Sequence, residues 1–232
     1  LVVGTGVSGI AAIRLLAAKG AKPVVLEGNE KADREQVVSR IPEGIGYDLI
    51  IGNLPEEVMD TLDLAVLSPG VPTDLPFVIK LQDKKIPVWG EIELAYACGS
   101  GRLAAITGTN GKTTTTALTG AILREYYDSV FVVGNIGLPY TEYALEMKDS
   151  SVTVAEVSSF QLETIHTFQP EVSAILNITP DHLNRHHTME CYIDTKARIA
   201  ENQTKAQICV LNYEDEHLQK LAAKIPADIF WF

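Results

Sequence analysis

Short apolar runs recur along the chain, each followed by a stretch with helical spacing. In the first ninety residues the apolar runs are Leu1–Val3, Pro23–Leu26, Leu49–Ile51, Leu64–Leu67 and Pro87–Trp89. Their apolar residues occupy successive positions, which suits strands buried on both faces of a parallel sheet. Gly9–Lys19 and Phe77–Lys84 carry helical patterns between them. The pattern then restarts. Leu103–Ile106, Val130–Val133, Val152–Val157, Val172–Ile178 and Ile208–Leu211 read as strands, with helices over Lys112–Tyr126 and near Glu190–Glu201. Strand, helix and strand in succession predict an α/β fold with parallel sheets. Ala97–Arg102, containing Gly99-Ser100-Gly101, is the most linker-like stretch and places a boundary near residues 92–101.

The 232 residues, 46% apolar and 21% charged, have an ordinary globular composition and suit one large domain or two smaller ones. Lys and Arg number 19 against 30 Asp and Glu, a net charge of −11. That balance argues against a broad grip on nucleic acid, yet backbone N–H groups bind phosphates without any net charge. The first twenty residues lack a basic leader, and Arg14 and Lys19 interrupt their apolar character, so neither a secretory signal nor a membrane span is predicted. Cys98, Cys191 and Cys209 are odd in number and far apart, which predicts a reducing, cytoplasmic compartment. The chain opens on Leu1-Val2-Val3 without methionine and closes on Phe230-Trp231-Phe232. A first strand so short and an aromatic tail predict a piece of a longer protein.

Two loops carry phosphate chemistry. Gly4-Thr5-Gly6-Val7-Ser8-Gly9 is a complete GxGxxG between a strand and a helix. Its glycines permit a tight turn and close approach of a diphosphate to the helix N-terminus. Glu27 ends the second strand, where an acid can bond a ribose or base. Thr107-Gly108-Thr109-Asn110-Gly111-Lys112-Thr113-Thr114 is the second loop; it follows an apolar strand and opens a helix, as a P-loop does. Its N–H groups would surround the β- and γ-phosphates of ATP, Lys112 would add a point charge and Thr113 would face Mg²⁺. Residue 106 is Ile, a departure from the strict GxxxxGK[ST] form. The predicted fold is therefore a Rossmann-like N-terminal parallel-sheet domain followed by a P-loop mononucleotide-binding α/β domain.

Glu156 ends a buried-type strand, at the sheet edge where a carboxylate reaches Mg²⁺. Asn177-Ile178-Thr179-Pro180-Asp181-His182 follows the next strand, and a neutral imidazole there could reach a second metal. His186 and His187 lack matching Cys or His partners, so a metal cluster is not predicted there. The first loop alone leaves an NAD-dependent oxidoreductase open. A non-catalytic nucleotide-sugar binding module is open as well.

The motifs TGTNGKTT (107–114), GNIG (134–137), EVSSFQLE (156–163), LNITPDHLNRH (176–186) and YIDTKARI (192–199), in this order, resemble the Mur ligases, the ATP-dependent amide ligases of peptidoglycan precursor synthesis. With an N-terminal GxGxxG, SSFQLE resembles the branch that adds D-glutamate to UDP-N-acetylmuramoyl-L-alanine. The resemblance implies three domains in the family, of which residues 1–92 would be the UDP-substrate domain and 93–232 a truncated central ATP domain, with the C-terminal domain absent. Such a piece would be inactive alone. The whole protein would be cytoplasmic, bacterial and monomeric, with no nucleic acid and no membrane insertion. Gly6, Val7 and Ser8 would meet the diphosphate of UDP. Glu27 and Gly28 stand where the family commonly has Asp-Thr, a departure that leaves the uracil contact open. Ser68, Pro69 and Gly70 would lie along the UDP-sugar, and Asn135 and His182 would contact the muramoyl substrate. Gly108 to Thr114 would bind ATP. Lys112, Glu156, His182 and Lys196 would be catalytic, with Thr113 and Glu156 on one Mg²⁺ and His182 and Lys196 on a second. Lys196 would need carbamylation by CO₂ to become a ligand.

Overall fold

A computed structural model describes all residues, 1–232. The first unit alternates β1 (Val2–Val3), α1 (Val7–Ala18), β2 (Val24–Glu27), α2 (Arg34–Arg40), β3 (Asp48–Ile51), α3 (Glu56–Met59), β4 (Ala65–Leu67), α4 (Pro76–Asp83) and β5 (Val88–Gly90). Helix α5 (Glu91–Cys98) then leads into β6 (Arg102–Thr107), α6 (Lys112–Arg124), β7 (Val130–Gly134), α7 (Tyr140–Tyr143), β8 (Val152–Glu156) and α8 (Ser159–Leu162). The chain ends with β9 (Val172–Ile175), α9 (Leu183–His186), α10 (Met189–Ala197), β10 (Ile208–Leu211), α11 (Glu216–Ala222) and β11 (Asp228–Trp231). The strands form two wholly parallel sheets, ordered β3-β2-β1-β4-β5 and β11-β10-β9-β6-β8-β7. In each sheet a phosphate-type loop follows an inner strand, β1 or β6, and opens at the carboxyl edge where such folds bind ligands. No helix is long and apolar enough to cross a membrane.

The longer elements follow from the apolar runs. Three of the short helices, α2, α8 and α11, carry side-chain caps. Asp33 accepts from the N–H groups of Glu35 and Gln36 at α2, Ser158 forms a capping box with Gln161 at α8, and Asp215 accepts from His217 and Leu218 at α11. Gly9 is required by contact: a Cβ there would stand 2.0 Å from the carbonyl oxygen of Gly4. That clearance lets α1 start directly against the strand end.

Two sequence readings need correction. Ala97 and Cys98, read as linker, are the last turn of α5, which leaves Gly99–Gly101 as the bend. Phe230-Trp231-Phe232, left out of the predicted strands, belongs largely to β11, paired in register along β10. Helix α5 also changes the picture of two loosely joined units. It packs on α1, β5 and α7, and one continuous apolar core runs from Val2, Ile13 and Val25 through Ile92 and Leu94 to Leu103, Ala155 and Ile175. Two further clusters fill the opposite faces, around Leu26, Leu67 and Leu81 in the first sheet and Ile106, Val154 and Ala174 in the second.

Candidate active site

The P-loop leaves β6 at Thr107 and turns into α6 through Gly111, which has φ +83°. The Lys112 Nζ donates to the carbonyls of Gly108 (3.0 Å) and Thr109 (2.9 Å), so the ammonium curls over its own loop. Segment 177–179 braces the loop from outside. Thr109 N–H donates to the Asn177 carbonyl at 2.9 Å. Asn110 N–H donates to Asn177 Oδ1 (2.8 Å), and Asn177 Nδ2 returns a bond to the Asn110 carbonyl (3.0 Å). Two of the expected ATP-binding amides, those of Thr109 and Asn110, are therefore already engaged. The N–H groups of Gly111, Lys112, Thr113 and Thr114 have no partner in the chain and form the open anion cradle at the α6 N-terminus.

Strand register places Glu156 beside Ile106, next to the root of the P-loop. Its side chain is 1% exposed. Oε1 accepts from Asn135 Nδ2 at 2.7 Å, while Oε2 is buried with no hydrogen-bond partner. Asn135 N–H also donates to the Glu156 carbonyl at 2.9 Å, which locks the GNIG turn onto the end of β8. Gly134 makes that approach possible, because a Cβ there would stand 2.3 Å from the Glu156 carbonyl oxygen. A buried carboxylate oxygen without a donor is an acceptor-only group that suits a divalent cation.

His182 sits in the left-handed region at φ 50°, its N–H donating to Asp181 Oδ1 and its ring 5.0 Å from that of Phe160. Lys196 is 2% exposed, donates from Nζ to the Gly108 carbonyl at 2.9 Å and lies over the Tyr192 ring. Burial, reinforced by the nearby Lys112 charge and opposed by Asp181, lowers its pKa from 10.5 to about 7. Thr113 is exposed on the first turn of α6. No group of three or more His, Cys, Asp or Glu side chains converges at metal-binding distance. The four expected metal residues thus share the loop edge, but only Glu156 offers a free buried oxygen.

At the first sheet, the expected UDP residues fall on adjoining cavities. Gly6 and Val7 line one of about 500 Å³, which Leu138 of the second unit also borders; Val7 is 69% exposed. Glu27, Gly28 and Gly70 line another of about 570 Å³. Ser8 sits half-buried in the first turn of α1. Ser68 and Pro69 border a narrow cleft against Gly90, Phe160, Gln161 and Thr164 of the opposite wall. The Glu27 carboxylate is committed locally: Thr5 Oγ1 donates to Oε2 at 2.5 Å and Asn29 N–H to Oε1 at 3.1 Å.

Residues 106–232 match the model of the Mur ligase middle domain, and residues 1–90 match the Mur ligase MurD-like N-terminal domain. The chain belongs to the Mur ligase family. Among curated relatives of this Mur ligase chain, the UDP-N-acetylmuramoylalanine–D-glutamate ligase of Lachnoclostridium phytofermentans is 57% identical over 232 residues, covering 100% of this chain and 51% of the relative. The ligase of the same name from Clostridioides difficile is 46% identical over 233 residues, with the same coverages. The chain spans about half the length of the curated relatives it matches. Solved structures share the fold. UDP-N-acetylmuramate:L-alanyl-gamma-D-glutamyl-meso-diaminopimelate ligase from Neisseria meningitides aligns at TM-score 0.63 and 14% identity, over 100% of this chain and 76% of that one. The MurF ligase from Thermotoga maritima in complex with ADP aligns at 0.54 and 20%, over 91% and 47%.

Several residues around this Mur ligase site were not singled out by sequence reasoning. Asn177 stood inside a quoted motif without a role. Tyr192, 1% exposed, places its hydroxyl 3.2 Å from Thr109 Oγ1, a second brace on the P-loop. Glu91 accepts from the N–H and hydroxyl of Thr141 and so holds α7, just beyond the GNIG turn. Burial raises its pKa against the lowering effect of those bonds. Glu93 accepts four bonds, from the N–H groups of His166, Thr167 and Phe168 and from the Thr167 hydroxyl. The available signal was two acids, two positions apart, in an otherwise apolar helix.

Proposed function

We propose that the chain supplies the UDP-substrate and ATP units of a cytoplasmic ligase that joins D-glutamate to UDP-N-acetylmuramoyl-L-alanine in peptidoglycan precursor synthesis. Residues 1–92 take the UDP-substrate and 93–232 take ATP. The observation that carries this reading is the partner-free Glu156 oxygen, buried beside the P-loop strand while its other oxygen holds Asn135. One carboxylate thereby links the nucleotide end of the site to the loop assigned to the muramoyl substrate. An NAD-dependent oxidoreductase leaves that arrangement and the second loop without use.

In the proposed reaction the L-alanyl carboxylate attacks the γ-phosphorus and ADP leaves. The D-glutamate amine then attacks the acyl phosphate, the amide C–N bond forms, and phosphate departs as the amine loses a proton. The first step brings anion to anion, so positioning and charge neutralisation are the physical need. The free N–H groups of residues 111–114 hold the β- and γ-phosphates, and Lys112 shifts from its loop carbonyls onto them. Glu156 and Thr113 would hold one Mg²⁺ and His182 and carbamylated Lys196 another, neutralising charge on the transferring phosphoryl group. With a pKa of about 7, Lys196 is about half neutral at neutral pH, which is the form whose nitrogen adds to CO₂ with loss of a proton.

Calorimetry with UDP-N-acetylmuramoyl-L-alanine, UDP, ATP and NAD tests the reading. Binding of the first three is expected; NAD binding without UDP binding would sink it, and UDP-sugar binding without ATP would favour the non-catalytic module. We assign the D-glutamate and adenine contacts to the portion of the relatives that this chain does not match. The 232 residues alone are therefore expected to bind without turnover, and D-glutamate-dependent phosphate release by them would contradict that assignment.

A further inference from the structure

We infer that Arg185 is a positioning residue, which ties the His182 loop of the second unit to the Ser68–Val71 turn of the first and so sets the UDP-substrate side of the site. The ligand part of this inference rests on the reading under Proposed function; the tie itself does not.

Arg185 lies on α9, three residues after His182. Its side chain is 16% exposed and that of Glu163 is 13% exposed. Arg185 Nε donates to Glu163 Oε1 at 3.1 Å and Nη2 to Oε2 at 2.5 Å, a two-point grip on the carboxylate. Nη2 also donates to the carbonyl of Val71 at 3.1 Å, across the boundary between the two sheets. The guanidinium stands 5.2 Å from the Phe160 ring centre, and that ring also lies against the rings of His182 and His186.

Each part of this arrangement has a separate cause. Taking a guanidinium out of water requires a partner charge and filled donors, and Glu163 supplies the charge. The carbonyl of Val71 is not needed for neutralisation, so the third bond selects a position rather than a charge. Val71 N–H closes its own turn onto the Ser68 carbonyl at 2.9 Å. Holding the Val71 carbonyl therefore fixes the whole turn that carries Ser68, Pro69 and Gly70. The other hydrogen bonds between the units end on β5, on α5 or on α1, as in Gly90 to Thr164, Val88 to His166, Glu91 to Thr141 and Arg14 to Glu142. Arg185 alone bonds the turn assigned to the UDP-sugar. A planar fork can grip a carboxylate and still point a donor elsewhere, whereas lysine is a point charge without that geometry.

The test uses the 232-residue chain with Arg185→Lys, which keeps the charge opposite Glu163, and Glu163→Gln, which loosens the grip while leaving Arg185 in place. Two readouts are taken: calorimetric affinity for UDP-N-acetylmuramoyl-L-alanine and for ADP, and amide exchange at Val71, the bonded N–H of the turn. Arg185→Lys is expected to weaken the UDP-substrate about tenfold and ADP less than twofold, with faster exchange at the Val71 N–H, which is bonded to the Ser68 carbonyl. Glu163→Gln is expected to move the same readouts in the same direction by less. Equal loss of both ligands, accompanied by faster exchange throughout the chain, would mean a merely structural residue and overturn the inference. So would unchanged exchange in the turn. If the unmodified chain binds no UDP-substrate, the functional reading and the ligand part of this inference fall together, and the exchange rates decide the tie alone.

Discussion

At the scale of single residues, Glu156 and Lys196 make opposite electrostatic demands. The free Glu156 oxygen is a desolvated acceptor with nothing donating to it, a costly arrangement unless a cation completes it. Glu156→Gln keeps an oxygen for Asn135 but puts an amide where the free acceptor was. An ATP analogue should then lose at least about tenfold of its magnesium-dependent affinity, with little change in the presence of EDTA. Undiminished magnesium dependence would remove Glu156 from the cation's shell. Lys196 is a buried amine whose pKa of about 7 lies below its ordinary 10.5. Between those values the unfolded chain binds more protons than the folded one, so stability rises with pH through that window. Urea titrations at pH 7 and pH 9 should therefore show the unmodified chain gaining about 2 kcal/mol relative to Lys196→Met, as an order of magnitude. Parallel behaviour of the two chains would mean that the amine is not depressed.

At the scale of elements, the P-loop is shaped as much by segment 177–179 as by its own glycines. Asn177 engages Asn110 reciprocally, and its carbonyl takes the N–H of Thr109. Asn177→Ala removes two of those three bonds and is expected to weaken ADP about tenfold while the urea midpoint moves little. An unchanged ADP affinity would show that the loop holds its form without the brace. Such bracing was not legible in the sequence. The motif placed Asn177 near the loop, but the reciprocal pairing depends on β6 and β9 being neighbours, which only the sheet order reveals. Strands β1 to β10 and helices α1, α4, α6 and α10 were legible from their apolar residues, and the two glycine-rich loops from their motifs, whereas β11 was not. Helices α3, α7, α8 and α9 have four residues each, about one turn, too short to show a period at all. Helix α5 was hidden for another reason. Glu91 and Glu93 look like surface charges in sequence, yet both are buried acceptors for the second unit. Glu27 shows the converse: it ends β2 as the sequence predicts, while its carboxylate is spent on Thr5 and Asn29.

At the scale of the whole molecule, the core shared through α5 predicts that the two sheets unfold as one cooperative body. The chain has two tryptophans, and Trp89 in β5 and Trp231 in β11 each pack against that core. Single-tryptophan versions should therefore report coincident urea transitions, and separated midpoints would show that the sheets unfold independently. Glu93→Ala strips the acceptor from four donors at the junction and should cost about 3 kcal/mol in the same titration. The shared core also bears on how a long ligand is held. If, as proposed, the UDP-substrate lies along the first-sheet loops, the core that joins those loops to the GNIG turn would let a molecule anchored at its nucleotide end present its far end to Asn135 at high effective concentration. The second contact then forms as a chelate, with little further loss of translational freedom. Even a weak muramoyl-end contact would on this account lengthen residence time disproportionately over that of UDP alone.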